Sequence, residues 1–110
     1  MDDARAHRIG VNEALFRAVN EQIEGLNRRL DETDAMEVVC ECGDGQCVER
    51  LPISMHDYER VRKDPRRFVI APGHDVPEVE TVLERHDRFH VVEKIHDVPE
   101  RIAEETDPRS

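Results

Sequence analysis

MEVVCECGDGQCVERLPI, residues 36–53, combines an antiparallel hairpin pattern with a thiol cluster, and its reading decides the fold. The span from Met36 to Cys42 reads as a strand, Gly43-Asp44-Gly45-Gln46 as a tight turn, and Cys47 to Ile53 as a returning strand. All three cysteines of the chain fall inside it, as Cys40, Cys42 and Cys47. A strand sets side chains i and i+2 on one face, so Cys40 and Cys42 are expected to point the same way. Glycines at 43 and 45 let the backbone turn sharply enough to swing Cys47 back beside them. Three converging thiols suit a soft divalent ion, and zinc is the usual occupant of such donors. An odd cysteine count in a presumed reducing compartment argues against a disulfide framework.

A structural zinc site is normally closed by four ligands, so a fourth donor must come from elsewhere in the chain. The histidines are His7, His56, His74, His86, His90 and His96. His74 is favoured, because Pro72 and Gly73 place it in a turn between elements, where its ring can be held toward a neighbouring knuckle. The expected site is Cys40, Cys42, Cys47 and His74 around one structural Zn2+ per chain. Two other readings stay open: cysteines acting as small semi-buried hydrophobes without metal, and a thiol switch in which Cys47 oxidises with Cys40 or Cys42 and the ion is expelled.

Upstream, Ile9, Asn12, Phe16, Val19, Ile23, Leu26 and Leu30 recur at alternating spacings of three and four, the pattern of a heptad seam. Arg5, Arg8, Glu13, Arg17, Glu21, Glu24, Arg28 and Arg29 fall off that seam, so the other faces are expected to be solvated. The seam serves either a coiled-coil contact or intramolecular packing against a small β-layer. Asp31 to Asp34 then form a short acidic linker. Downstream, Ser54 with Asp57 three residues on reads as a capped start for a short helix from Met55 to about Lys63, ended by Pro65. The span from Phe68 to Ala71 reads as a strand and Pro72-Gly73-His74 as a turn. Residues 77–85 fit a helix or the first arm of a hairpin; high β propensity favours the hairpin, with residues 88–95 as a returning strand that puts Phe89, Val91 and Ile95 on one face. The last dozen residues read as a tail with at most one helical turn.

The organisation expected is therefore a helix over 1–33, a small metal-stapled β-rich domain over 34–98 and an acidic tail over 99–110. The fold class is α+β: a long N-terminal amphipathic helix followed by a small zinc-knuckle-like domain with one short helix. Composition agrees with a staple. In 110 residues, 37% are hydrophobic and only 4% aromatic, and small cores commonly need a metal, a disulfide or a partner. With 26 acidic against 16 basic residues and a net charge of -10, the chain is a poor candidate for non-specific nucleic-acid binding, which rests on cations. Only residues 56–74 are locally cationic, through Arg60, Arg62, Lys63, Arg66 and Arg67, which balance the acidic flanks or meet an acidic partner. No apolar run is long enough for a membrane span and no secretory pattern starts the chain, so a cytoplasmic location is expected.

An enzyme reading has Glu41 or Glu49 as a base beside an open zinc, or Cys47 with His74 as a hydrolase pair. The alternation of a strand makes Glu41 an outward, solvated residue instead, and the His-x-Glu and Pro-Cys-x-x-Cys of zinc deaminases are missing. His86 and His90 are a weaker second ligand pair, more simply read as solvent-facing.

The run Cys40-Glu41-Cys42 through Cys47-Val48-Glu49, the Tyr58-Glu59-Arg60-Val61-Arg62 helix, Asp64-Pro65-Arg66-Arg67-Phe68, Pro72-Gly73-His74 and Val91-Val92-Glu93-Lys94 resemble a family of small actinobacterial proteins without an assigned activity. The resemblance extends from about Asn12 to Arg109 and includes a leading helix similar to Asn12-Glu13 through Asn20-Glu21. It implies that Cys40, Cys42, Cys47 and His74 act as one constellation, and it implies no substrate. The function expected is a non-enzymatic zinc-binding interaction or regulatory module. Its partner is another protein, or a second copy reached through Phe16, Val19, Ile23 and Leu26. A redox-responsive zinc-thiolate switch and a small zinc-dependent hydrolase are the alternatives.

Overall fold

The computed structural model describes residues 1–30 and 34–109. The expected acidic linker, apart from Asp34, lies outside the described residues. Helix α1 (Asp3–Arg29) starts where the Asp2 carboxylate accepts the Arg5 N–H at 2.7 Å and ends with Arg28 and Arg29 in its last turn, where cations offset the helix dipole. Strands β1 (Ala35–Val39) and β2 (Arg50–Ser54) pair antiparallel, with Met36, Val38, Leu51 and Ile53 turned into the core. Helix α2 (Met55–Arg62) follows at once, its Asp57 N–H donating to the Ser54 hydroxyl at 2.9 Å as the capping pattern requires.

A second sheet holds β3 (Arg67–Ile70), β4 (Glu80–Arg85) and β5 (His90–Lys94) in the order β3-β5-β4, antiparallel throughout. Residues 80–94 thus form the hairpin that β propensity favours over a helix. The register shifts at Leu83, an extra residue between Val82 and Glu84, so β4 carries a bulge. On β5 both Val91 and Val92 are buried, so the strand is covered on both faces, while Ile95 is exposed rather than aligned with Phe89 and Val91. Among the described residues, no helix is long and apolar enough to cross a membrane.

The α+β class is as the sequence indicates, but three local expectations are corrected. The segment expected as a tail contains helix α3 (Asp97–Glu105), which packs along α1 with Pro99 and Ala103 buried. The β1–β2 pairing stops at Val39 and resumes at Arg50, so the cysteines sit in the connection rather than in the strands. The third concerns α1, which turns a polar face inward: Glu13, Arg17, Asn20 and Glu24 are buried, while Val19, Leu26 and Leu30 of the apolar seam are exposed. Of that seam, Ile9 is buried, and Asn12, Phe16 and Ile23 are half-buried, with Ile23 packed on the core.

Each buried charged side chain meets at least one partner, although Glu13 Oε1, Arg17 Nε, Glu24 Oε2 and Arg62 Nη1 make no hydrogen bond among the described residues. The Lys94 ammonium bridges the Glu13 and Glu80 carboxylates, all three fully or nearly fully buried. Arg17 donates to the Pro65 carbonyl at 2.6 Å, the Ala103 carbonyl at 2.7 Å and the Thr106 hydroxyl at 3.3 Å. Its guanidinium also stacks 4.8 Å above the Phe68 ring. Asn20 behaves as a strand partner, donating to the Val39 carbonyl and accepting the Val39 N–H, both at 2.8 Å. An unpaired buried charge would cost several kcal/mol, so these partners let a polar helix face lie against the sheets.

Candidate metal centre

The chain leaves β1 at Val39 still extended, and residues 40–42 are anchored on both edges. The Cys40 N–H donates to the Glu49 carbonyl at 3.0 Å, and the Glu41 N–H donates to the Val69 carbonyl on β3 at 2.8 Å. This short extended run joins the two sheets and aims Cys40 and Cys42 the same way. Asp44 then closes the turn, its carboxylate accepting the Gln46 N–H at 2.9 Å and its carbonyl accepting the Cys47 N–H at 3.0 Å. The loop is pressed onto α1, where the Asn12 amide donates to the Gly43 carbonyl at 2.9 Å. A Cβ on Gly43 would lie 2.6 Å from Ile9 Cγ2, so only glycine permits that approach.

His74 arrives from the opposite side. Residues 71–74 make a tight turn closed by the His74 N–H donating to the Ala71 carbonyl at 3.0 Å, with Pro72 before Gly73 at φ 85°. A type II turn demands that positive φ, and proline followed by glycine supplies it. The same turn brings the Ala71 N–H to 3.1 Å from Cys40 Sγ.

Cys40, Cys42, Cys47 and His74 offer ligand atoms that all lie within 4.8 Å of one another, a group that could hold a metal ion. His74 Nδ1 stands 3.6 Å from both Cys40 Sγ and Cys47 Sγ. Tetrahedral zinc with Zn–S near 2.3 Å and Zn–N near 2.0 Å has ligand–ligand edges of ~3.5–3.8 Å, so the two His74–sulfur separations have the length of such edges. Cys40 and Cys42 are buried and Cys47 is partly exposed.

The three thiols are not equally ready to lose their protons. Sharing hydrogen bonds, the thiols divide their acidity: the Cys40 thiol donating to Cys42 pushes Cys42 down to about 5, whereas Cys40 is pushed up by that bond and by burial. Burial raises Cys47 as well. A divalent ion would supply the charge that three thiolates need, and the Ala71 N–H already points at one sulfur, the kind of outer contact that orients and tunes a ligand.

Glu41 is neither a solvated outward residue nor a free base. It is fully buried, and its carboxylate accepts from the Asn20 amide at 2.8 Å, the Tyr58 hydroxyl at 2.8 Å and the Val69 N–H at 3.0 Å. Burial raises its pKa and these three donors oppose the rise. Thus the residue between the two cysteines ties α1, α2 and β3 to the ligand loop. Its sequence signal was only its place between Cys40 and Cys42; strand alternation gave its direction but not that another layer lies there. Glu49 is exposed and contributes its backbone carbonyl.

The remaining sequence candidates lie apart. His86 is stacked on Phe89 at 4.5 Å and bonded to Glu84 at 2.8 Å, and His90 lies across the same hairpin end, paired with Arg85. Among the described residues, neither joins a group of three potential ligands. The four arginines of the basic block are paired within the molecule: Arg60 with Glu84, Arg62 with Glu21 and Asp107, Arg66 with Asp64, and Arg67 with Glu93, while Lys63 is exposed. The arginines therefore serve mainly as ties within the fold. No family model, curated protein or solved structure matches the chain, so the functional reading rests on the chain's own residues.

Proposed function

We propose that the protein is a non-enzymatic zinc-binding module in which Cys40, Cys42, Cys47 and His74 hold one structural Zn2+. The observation that carries this is the convergence of four sulfur and nitrogen donors within 4.8 Å. Three thiolates and a neutral imidazole around a divalent ion leave a formal charge of about -1 and no open position for water. Several features favour a structural over a catalytic ion. Glu41, the nearest buried carboxylate in sequence, spends its oxygens on three protein donors. The cleft lined by Cys42, Asp44, His74 and Asp75 has a volume of about 260 Å³, below the ~300–1,000 Å³ usual for small-molecule sites. The ion would staple the loop between β1 and β2 to the turn after β3, stabilising a chain poor in aromatic core.

Native mass spectrometry of protein made in zinc-supplemented cells tests the reading. One zinc per chain is expected, with Cys42→Ser and His74→Ala losing the ion and ~2–4 kcal/mol or more of stability. A metal-free protein whose stability is indifferent to zinc and to both substitutions would overturn it.

A further inference from the structure

Among the described residues, six of the nine large apolar side chains that are exposed belong to the N-terminal thirty: Met1, Val11, Leu15, Val19, Leu26 and Leu30. Val11, Leu15, Val19 and Leu26 of α1, with Leu30 at its C-cap, lie on the side away from Glu13, Arg17, Asn20 and Glu24, which are turned inward. A soluble surface rarely gathers so many apolar side chains on one stripe without a use for them. With Gln22 included, the stripe reads Val11, Leu15, Val19, Gln22, Leu26, Leu30, at spacings of four, four, three, four and four. That order is the same in both directions about a point between Asn20 and Glu21. Reversal exchanges Val11 with Leu30, Leu15 with Leu26, and Val19 with Gln22.

We infer that this stripe is the self-association surface of the protein, pairing α1 antiparallel with α1 of a second copy across a two-fold axis. An isologous contact requires a face complementary to its own reversal, and a palindromic stripe is one. The axis sets Leu15 against Leu26 of the second copy and Val11 against Leu30, with the Val19–Gln22 pairs at the centre. Charge points to the same occupant. In a chain of net charge -10, the stripe carries no acidic residue, and its neighbours toward either end are Arg8 and Arg29. Repulsion between two acidic copies is therefore kept off the contact. The stripe runs ~28 Å along a helix ~10 Å wide. Two such faces with their flanks remove on the order of 1,000 Å² from water, the lower bound of a specific interface. Contacts at that lower bound are typical of reversible rather than permanent pairs. The surface differs from a seam through Phe16 and Ile23, which are both half-buried, Ile23 against the protein's own core, and it is independent of the metal centre.

Sedimentation equilibrium of the full chain over ~1–100 µM reads the outcome. A monomer–dimer equilibrium is expected, and a monomer throughout, or a higher oligomer, overturns the proposal. Leu15→Lys and Leu26→Glu, each at an exposed position and each checked for an unchanged circular dichroism spectrum, should weaken the dimer at least ~10-fold. Persistence of the dimer in both overturns it. The double variant Leu15→Lys/Leu26→Glu should recover association, because the antiparallel register sets each lysine beside a glutamate of the second copy. Failure to recover overturns the register. Gln22→Leu, which replaces the polar member of the central pair, should tighten the dimer, and Leu83→Lys, exposed on β4, should leave it unchanged.

Discussion

Glu41 shows how a single side chain can hold a site without entering it. Its carboxylate gathers donors from α1, α2 and β3 at the point where the backbone presents Cys40 and Cys42 on its other side. Replacing it with leucine would strand the Tyr58 hydroxyl and the Val69 N–H in the interior, and each buried unsatisfied group costs ~1–3 kcal/mol. Glu41→Leu is therefore expected to destabilise by ~3–5 kcal/mol in thermal or urea unfolding. Glu41→Gln keeps an acceptor and should cost less, ~1–2 kcal/mol. If zinc is bound as proposed, Glu41→Gln should also weaken it ~10–100-fold in a chelator competition, because outer-shell contacts orient the ligands. Equal metal affinity in the variant and the native protein would restrict Glu41 to a packing role.

At the scale of elements, α1 acts as a polar strut. Arg17 alone connects it to the α2–β3 turn at Pro65 and to the end of α3 at Ala103 and Thr106. Burial lowers the guanidinium pKa from its usual range, yet the group keeps its charge at any ordinary pH. Arg17→Leu removes three bonds and leaves buried carbonyls behind, a loss of ~2–4 kcal/mol. The loss should be local first: amide exchange should rise in residues 97–105 before it rises in the β1–β2 pair, measured by hydrogen–deuterium exchange. Uniform loss of protection would show that α1 and the sheets open together. The helix also marks a limit of periodicity. Glu13, Arg17, Asn20 and Glu24 follow one another at spacings of four, three and four, the same rhythm as the apolar seam. Two seams at heptad spacing were present in the sequence: the apolar one was open to a coiled-coil contact or to internal packing, and the polar one, three of whose members were expected to be solvated, is the one that is buried throughout. The partners that make the polar seam cheap to bury lie outside the helix, Val39 and Pro65 at middle range and Lys94, Ala103 and Arg109 more than seventy positions from the start of α1.

At the scale of the whole molecule, the acidity of the chain is managed by ion-pair networks rather than by dispersal. Arg109 bonds Glu21, Glu24 and Glu59 together, drawing the last described residues onto α1 and α2. Within that network the Arg109 hydrogen bond holds Glu59 down to about 2, while burial and the nearby Glu59 carboxylate lift Glu24 to about 7. The two have opposite consequences for stability. Glu59 contributes stability above its unfolded pKa, near 4.5, which is lost as pH falls toward 2. Glu24 stays protonated in the fold at pH values where the unfolded chain has released its proton, so its contribution is present below pH 4.5 and lost as pH rises toward 7. Glu24→Gln should remove that second slope, raising stability at pH 8 relative to pH 5 by ~1–2 kcal/mol after allowance for solvent screening. Thermal unfolding of both proteins across pH 3–8 checks this, and parallel curves would contradict it.

The amino-acid sequence determined, by itself, whatever depends on near neighbours. The Ser54 cap and α2, the hairpin of β4 and β5, the Pro72-Gly73 turn and the proximity of Cys40, Cys42 and Cys47 are all set by contacts within about ten residues, where propensity and turn chemistry dominate. His74 was legible as a candidate for the same reason: its turn is local, even though its partners are not. Only the tertiary structure decided which face of α1 turns inward, that Glu41 is buried, that residues 97–105 form a helix against α1, and that the arginines of the basic block are taken up by internal pairs. Each of these depends on a partner far away in the chain. A charged side chain is solvated or buried according to whether such a partner meets it, and periodicity carries no information about that meeting.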